Sequence, residues 1–260
     1  MKLLFVGDVV GRAGRQILSR CLDRLVDRHA VDFVVVNGEN AAGGFGLTED
    51  VVREFRKLGV HVITSGNHIW DKREFAAQLD RFDDVLRPGN YPEGAPGRGF
   101  GLYETCAGIK VGVINLEGRV FMNNLDCPFR LADQYLESKP EDVHVVLVDF
   151  HAEATSEKMA LAHYLDGRVS AVVGTHTHVP TADEHILPSG TAYQTDVGMT
   201  GSRDSVIGIR KEIAVEKFVT QMPARFEVAK KDPILCAVLI DIDESTGRAR
   251  RVERIMELGD

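Results

Sequence analysis

The sequence predicts an α/β fold built as a single domain over residues 1–260. In the first two thirds of the chain, short apolar runs alternate with longer amphipathic stretches, which is the pattern of strands alternating with helices. The chain has 260 residues, of which 44% are hydrophobic. That length and composition are sufficient for one large buried core.

Six short apolar runs predict buried strands, because they are rich in valine and isoleucine and lack a helical period. They cover residues 3–6, 33–36, 60–64, 111–115, 143–148 and 171–173. Helices fit between most of these runs.

Three segments predict helices. Residues 11–29 carry apolar side chains at spacings of three and four, which places them on one helical face. Residues 48–58 begin with Thr48, a residue type that caps helices, and stop before a glycine. Asp71 followed by Glu74 resembles a capping box that opens a third helix.

The last part of the chain predicts a β-hairpin. Residues 234–242 and 249–256 flank the turn sequence at 244–247, so antiparallel strands join the fold and its sheets are mixed. Residues 88–100 are rich in glycine and proline, and residues 121–130 have no clear period, so both predict loops.

Composition excludes several classes of protein. The formal net charge of −8 disfavours a broad basic face, so no stable nucleic-acid complex is expected. No targeting segment is apparent, and no apolar run approaches the roughly 20 residues of a membrane span, so a soluble cytoplasmic protein with no membrane partner is expected. Four scattered cysteines form no CxxC pair and are expected to be buried reduced thiols.

Metal-capable side chains follow five of the predicted strands. Because the carboxyl ends of strands in an α/β sheet form the rim where ligands bind, these residues are expected to converge there. They are Asp8, Glu39, Asn40, Asn67, His68, His151, His176 and His178.

The chemistry of this set predicts two metal ions. Without His68, it supplies three imidazoles, two carboxylates and two amides, which are ligands for iron, manganese or zinc. Seven groups exceed what one ion needs, so two ions that share Glu39 fit better. An extended backbone at residues 175–178 would send His176 and His178 to the same side. Singly, each such residue is more often a turn or cap residue, so the prediction rests on the whole set.

At these residues the sequence resembles the calcineurin-like metallophosphoesterases. The matching motifs are Gly7-Asp8, Gly38-Glu39-Asn40, Gly66-Asn67-His68, His151 and Gly174-Thr175-His176-Thr177-His178.

Two departures from the family pattern narrow the resemblance. Val10 stands where a histidine is expected, and Glu39 replaces the bridging aspartate. This combination is similar to the bacterial YmdB-like 2′,3′-cyclic-nucleotide phosphodiesterases, and the similarity continues through residues 37–46, 118–122 and 149–158.

The resemblance implies a four-layer α/β/β/α sandwich of two mixed sheets. It implies that one ion is held by Asp8, Glu39, Asn40 and His178, and the other by Glu39, Asn67, His151 and His176. The ions are expected to be iron or manganese, with zinc as an alternative. A hydroxide bridging the ions would open a 2′,3′-cyclic nucleotide, a small-molecule substrate, and His68 would donate the proton to the leaving oxygen.

Alternatives remain at this stage. The same centre could serve a phosphomonoesterase or a phosphoprotein phosphatase, or the metals could stabilise a regulatory scaffold. His68 could instead orient water or Asn67. Because Ile69 follows it, a backbone carbonyl is a candidate partner for its ring.

Four further residues are candidates for nucleotide contacts, without an assigned role: Phe45, Trp70, Arg119 and Phe121. Association with further copies of the chain is also expected, since homo-oligomers are common.

Overall fold

The computed structural model describes residues 1–259 and contains two six-stranded β-sheets that pack face to face. The helices are α1 (Gly11–His29), α2 (Glu49–Lys57), α3 (Arg73–Ala76), α4 (Pro128–Ser138), α5 (Thr155–Leu165) and α6 (Lys211–Thr220). The strands are β1 (Lys2–Val6), β2 (Phe33–Asn37), β3 (Val62–Thr64), β4 (Phe100–Glu104), β5 (Lys110–Glu117), β6 (Val145–His151), β7 (Ala171–Thr175), β8 (His185–Ile186), β9 (Ala192–Gln194), β10 (Gly201–Ser202), β11 (Pro233–Ile242) and β12 (Ala249–Leu258).

Both sheets are mixed. In the first sheet, β1, β2 and β3 run parallel, whereas β11 pairs antiparallel with β1, β10 and β12. In the second sheet, whose order is β4-β5-β6-β7-β9-β8, the four central strands run parallel and the two outer strands run antiparallel to their neighbours. The predicted hairpin is confirmed as β11 and β12.

The four layers follow from the alternation of side chains along each strand. Leu3 and Phe5 of β1 point into the core between the sheets, and Leu4 and Val6 point to the outer face. Helices α1 and α2 cover that outer face, and α4 and α5 cover the outer face of the second sheet. Both faces of the central strands are therefore buried, which explains why they read as continuous apolar runs. The predicted α/β/β/α sandwich is confirmed.

Two local predictions were wrong. Helix α3 begins at Arg73, and no side chain caps it, because the carboxylate of Asp71 is engaged by His68 instead. The loop predicted at 121–130 ends at Cys127, since α4 begins with Pro128, whose fixed φ suits the first turn of a helix.

The cysteines make no disulfide in the described part of the chain. Cys21 and Cys236 are buried as expected, whereas Cys127 is half-buried and Cys106 is exposed. Across residues 1–259, no helix combines the length and the apolar character needed to cross a membrane.

A buried polar cluster joins the two sheets at their carboxyl-terminal edges. Asp149 of β6 accepts hydrogen bonds from Asn37 Nδ2 (3.0 Å) and from the Thr64 hydroxyl, both in the first sheet. It also accepts from the Thr175 hydroxyl of β7 at 2.8 Å. Burial raises the pKa of Asp149 to about 6 even against these donors, so the carboxylate is charged at neutral pH. The cluster fixes how the edges of the two sheets meet.

Replacing Asp149 tests this role. Asp149→Ala leaves several buried donors without an acceptor, so we expect the free energy of unfolding to fall by about 3 kcal/mol or more, measured by urea unfolding. Asp149→Asn should cost less, because one acceptor oxygen remains. Asp142→Ala, which removes an exposed ion pair with Lys110, is the control and should change stability little. Equal effects of the two alanine variants would show that the cluster does not join the sheets.

Candidate active site

The eight residues singled out in the sequence lie together on one rim. They come from the ends of β1, β2, β6 and β7 and from a short 3₁₀ turn (Asn67–Trp70) that follows β3. Four of them are buried and four are half-buried. Five of the eight line a cavity of about 320 Å³, namely Glu39, Asn40, His68, His176 and His178. The buried ones are Asp8, Glu39, Asn40 and His151, and the half-buried ones are Asn67, His68, His176 and His178.

One group of four converges on the ring of His151. Its Nε2 lies 3.2 Å from Glu39 Oε2, 3.1 Å from Asn67 Oδ1 and 3.0 Å from His176 Nδ1. Each of these atoms acts as an acceptor when it carries no proton. The few protons available here cannot provide a donor for every one of them. A set of acceptors that face one another at this distance suits a cation at their centre.

The tautomer of His151 favours the same conclusion. Its Nδ1 lies 2.9 Å from Thr175 Oγ1, and that hydroxyl already donates its proton to Asp149. Nδ1 must therefore donate to Thr175, which leaves Nε2 facing the site, where it offers a lone pair once its own proton is displaced. A hydrogen bond of this kind on the far nitrogen is the usual arrangement of a histidine that binds metal.

A second group forms around Asp8 and His178. Asp8 Oδ1 is buried without a hydrogen-bond partner in the described residues and lies 4.0 Å from His178 Nε2. Asn40 Nδ2 lies 3.1 Å from the same nitrogen and 2.8 Å from Glu39 Oε1. A ligand role for Asn40 requires its amide to be turned by a half-rotation, which puts oxygen in place of nitrogen.

Glu39 belongs to both groups. Its Oε2 faces His151 and its Oε1 faces Asn40, and the side chain shares close ligand atoms with His151 and His176 on one side and with Asp8 and His178 on the other. One carboxylate therefore lies between two clusters that could each hold a metal ion.

The pKa values in this site reflect burial and the interactions among its charged groups. Burial raises the pKa of Asp8 to about 7. Burial alone would also raise that of Glu39, but the charge and hydrogen bond of His151 outweigh it and lower the pKa of Glu39 to about 2. Burial lowers the pKa of His151, yet Glu39 and Asp8 raise it to about 9, and burial and His151 lower that of His176 to about 3. The site holds a proton on His151 that a bound cation would displace.

His68 lies outside both clusters but lines the same cavity. Its Nδ1 is 2.8 Å from Asp71 Oδ2, so the partner of the ring is a carboxylate and not the candidate backbone carbonyl. Residues three apart eclipse each other in a 3₁₀ turn, which explains why Asp71 and not residue 69 makes this contact. The ring centroid of Phe45 lies 4.9 Å from that of His68 and tilts 60° to it.

Comparison with known proteins identifies the family. The sequence model described as "YmdB-like protein" matches residues 4–255. The chain belongs to the YmdB-like family. It is 48% identical over 256 residues to the 2′,3′-cyclic-nucleotide 2′-phosphodiesterase of Bacillus subtilis, covering 98% of this chain and 97% of that relative. The resemblance inferred from the motifs is confirmed.

Two solved structures share the whole architecture of this YmdB-like chain. A hypothetical protein from Thermus thermophilus superposes with a TM-score of 0.93 at 45% identity, with all of both chains covered. A protein described as a novel phosphatase from Mycoplasma pneumoniae superposes with a TM-score of 0.93 at 35% identity, covering 99% of this chain and 93% of the other.

The backbone at His176 and His178 differs from the sequence prediction. Strand β7 ends at Thr175, and His176 and His178 have φ values of 101° and 66°, so the expected extended conformation was wrong. Residues other than glycine adopt such values at a cost, which surrounding contacts must offset. Both imidazoles still reach the rim, but through a turn.

A buried ion pair that sequence reasoning missed holds this turn. Lys158 Nζ lies 2.7 Å from Asp196 Oδ2, and both side chains are about 1% exposed. The same oxygen accepts from the backbone N–H and the hydroxyl of Thr177, at 3.1 and 2.8 Å. Lys158 lies within the segment 149–158 and Asp196 within the glycine-rich stretch after β9. Nothing in their spacing indicates that they meet, because α5 and the loop after β9 are brought together only by the fold.

Glu153 is a second contact that the sequence did not predict. Its Oε2 lies 3.2 Å from His176 Nε2, the ring nitrogen that faces away from His151. A carboxylate on that nitrogen orients the ring and directs Nδ1 into the cluster.

The Lys158–Asp196 pair can be tested by a double-mutant cycle. Lys158→Met leaves the Asp196 charge buried without its partner, so we expect a loss of about 3–5 kcal/mol in the free energy of unfolding. Adding Asp196→Asn should recover part of that loss, because no lone charge remains. Lys110→Met, in an exposed pair, is the control and should have little effect. Additive losses in the double variant would contradict a direct coupling.

Proposed function

We propose that this chain is a metal-dependent phosphodiesterase that opens 2′,3′-cyclic nucleotides. The chain is a phosphoric ester hydrolase, as its YmdB-like relatives are named a phosphodiesterase and a phosphatase. The finer assignment is supported by the name of the Bacillus subtilis relative and by its identity over nearly the whole chain.

The position of Glu39 between two clusters of acceptor atoms is the observation that carries the proposal. Asp8, Glu39, Asn40 and His178 would hold one ion, and Glu39, Asn67, His151 and His176 the other. The orphaned Oδ1 of Asp8 fits this assignment, since among the described residues it is otherwise a buried acceptor without a donor.

The mixture of imidazole, carboxylate and amide ligands suits iron or manganese, while zinc accepts the same atoms. When bound, two such ions neutralise phosphate charge and activate a water for attack on phosphorus.

His68 would donate the proton that the leaving oxygen needs. Opening the cyclic ester breaks a phosphorus–oxygen bond to the ribose and leaves a strongly basic oxygen. Asp71 accepts a hydrogen bond from Nδ1, so the other ring nitrogen, Nε2, is the one available to the substrate.

Removing the charge of Glu39 tests the shared ligand. Glu39→Gln should lower occupancy of both sites, so a chain equilibrated with Mn²⁺ should retain well below the roughly two ions expected of the wild type. Metal content per chain is measured by elemental analysis after removal of free metal. The matched control is Glu117→Gln, a buried glutamate at the end of β5 that belongs to neither cluster, which should keep both ions. Retention of two ions per chain by Glu39→Gln would refute the bridge.

A substrate comparison tests the activity and the role of His68. The manganese- or iron-loaded protein should hydrolyse 2′,3′-cyclic AMP faster than 3′,5′-cyclic AMP or a phosphomonoester. His68→Ala should lower kcat on 2′,3′-cyclic AMP by about 10²-fold or more, and Asp71→Asn by about tenfold. His163→Ala, an exposed histidine on α5, is the control.

Bis(p-nitrophenyl) phosphate separates a proton donor from a positioning residue. Its leaving group is stable as an anion and needs no proton, so His68→Ala should lose far less activity on it than on 2′,3′-cyclic AMP. Equal losses on both substrates would exclude His68 as the donor. A preference for the phosphomonoester would replace the diesterase assignment by a phosphatase, and no turnover of any ester would favour a scaffold.

A further inference from the structure

Part of the cavity beside the metal-capable rim is apolar. Its lining includes Val10, Phe45, Ile207, Ile209 and Phe226, together with the polar groups of the rim. Ile207 is 51% exposed and Phe226 is 39% exposed. Apolar side chains left open to solvent next to a charged site commonly mark the place where an apolar part of a ligand binds.

Ile207, Ile209 and Phe226 form one side of the cavity, here called the apolar wall. Backbone hydrogen bonds hold the segments that carry these residues in place. Ile209 and Val228 form an antiparallel bridge, with hydrogen bonds from the N–H of Arg210 to the Glu227 carbonyl and from the N–H of Ala229 to the Gly208 carbonyl, each 2.9 Å. This short ladder fixes the chain on either side of the cavity wall. Phe226 directly precedes Glu227, so this ladder anchors the chain beside it.

The wall is also tied to the rim. The carbonyl oxygen of Ile207 lies 2.8 Å from His178 Nδ1, so the imidazole donates to it and keeps its other nitrogen toward Asp8. Ile207 has a φ of 47°, an unusual value for a β-branched residue. Ile207 adopts this backbone conformation where its carbonyl contacts His178 of the rim and its side chain lines the cavity.

A cation covers one side of the Phe226 ring. Lys217 Nζ of α6 lies 4.4 Å from the ring centroid, within the range of a cation–π contact. The ammonium occupies one face of the ring, and the ring also lines the cavity beside the rim.

We propose that Phe226, with Ile207 and Ile209, binds the nucleobase of the substrate. This base site rests on the proposed function and concerns the substrate specificity of the same active site. A 2′,3′-cyclic nucleotide carries its charge on the phosphate and a flat uncharged base at its other end. The cavity of about 320 Å³ lies at the small end of ligand pockets. It offers the phosphate a polar rim and offers the base an aromatic ring with two aliphatic side chains.

Stacking on an aromatic ring accepts every base, because each has a π-face. The wall offers no side chain with a hydrogen-bonding group to read a base edge, since the three residues are hydrocarbon. We therefore expect turnover of 2′,3′-cyclic AMP, GMP, CMP and UMP alike, with purines favoured through their larger stacking area.

The test compares two substrates with the same reacting group. Glycerol 1,2-cyclic phosphate has the five-membered cyclic diester but no base. Phe226→Ala should raise KM for 2′,3′-cyclic AMP so that kcat/KM falls by about tenfold or more, while kcat/KM for glycerol 1,2-cyclic phosphate should stay within about twofold. Phe226→Tyr, which keeps the ring, should restore activity on the nucleotide. Phe218→Ala on α6 removes an exposed ring that does not line the cavity and should affect neither substrate.

Equal losses on both substrates, or no loss on the nucleotide, would overturn the base site. Metal content and thermal unfolding of each variant show whether the rim and the fold are intact. If the wild type turned over neither cyclic diester, the proposed function would fail separately. The base site would then be tested by calorimetric binding of a nucleoside 3′-monophosphate against glycerol phosphate. Unchanged nucleotide affinity in Phe226→Ala would overturn it there as well.

Discussion

The structure depends on one buried carboxylate that both sheets share. Asp149 takes donors from Asn37 and Thr64 on one sheet and from Thr175 on the other. Hydrophobic contact between the two apolar sheets is not directional and does not by itself define their offset. Hydrogen bonds to a charge are directional and costly to leave unmade. The carboxyl-terminal edges of the sheets are thus held at a defined offset, and through Thr175 the same carboxylate determines which nitrogen His151 presents.

Much of the fold could be predicted because its signals are local. Buried parallel strands appear in the sequence as apolar runs. Helix α1 appears as apolar residues at helical spacing, and the hairpin appears as two strand-like runs around a turn sequence. The site could also be predicted from the sequence, because the carboxyl ends of strands converge in this architecture. Asp8, Glu39 and His151 therefore meet independently of the conformations of the loops. The capping box at Asp71 failed because a carboxylate three residues after a histidine can satisfy either a helix or the ring, and sequence alone does not decide between them.

The other misses are non-local. Lys158 and Asp196 meet only once α5 and the loop after β9 are packed, and no spacing rule connects them. The turn at His176 and His178 is also non-local, because the hydrogen bonds that Thr177 donates to Asp196 hold the chain away from an extended path. Predicting an extended backbone there followed the periodicity of β7, and a tertiary contact overrode it.

The contact between Ile207 and His178 has a consequence beyond geometry. Ile207 lines the cavity with its side chain and accepts a hydrogen bond from His178 through its carbonyl. Under the proposed assignment, a ligand that shifts this segment would therefore change the affinity of an ion at His178, and the ion would change the affinity of the ligand by the same factor. A substitution in this segment would then be expected to affect metal retention and substrate binding together.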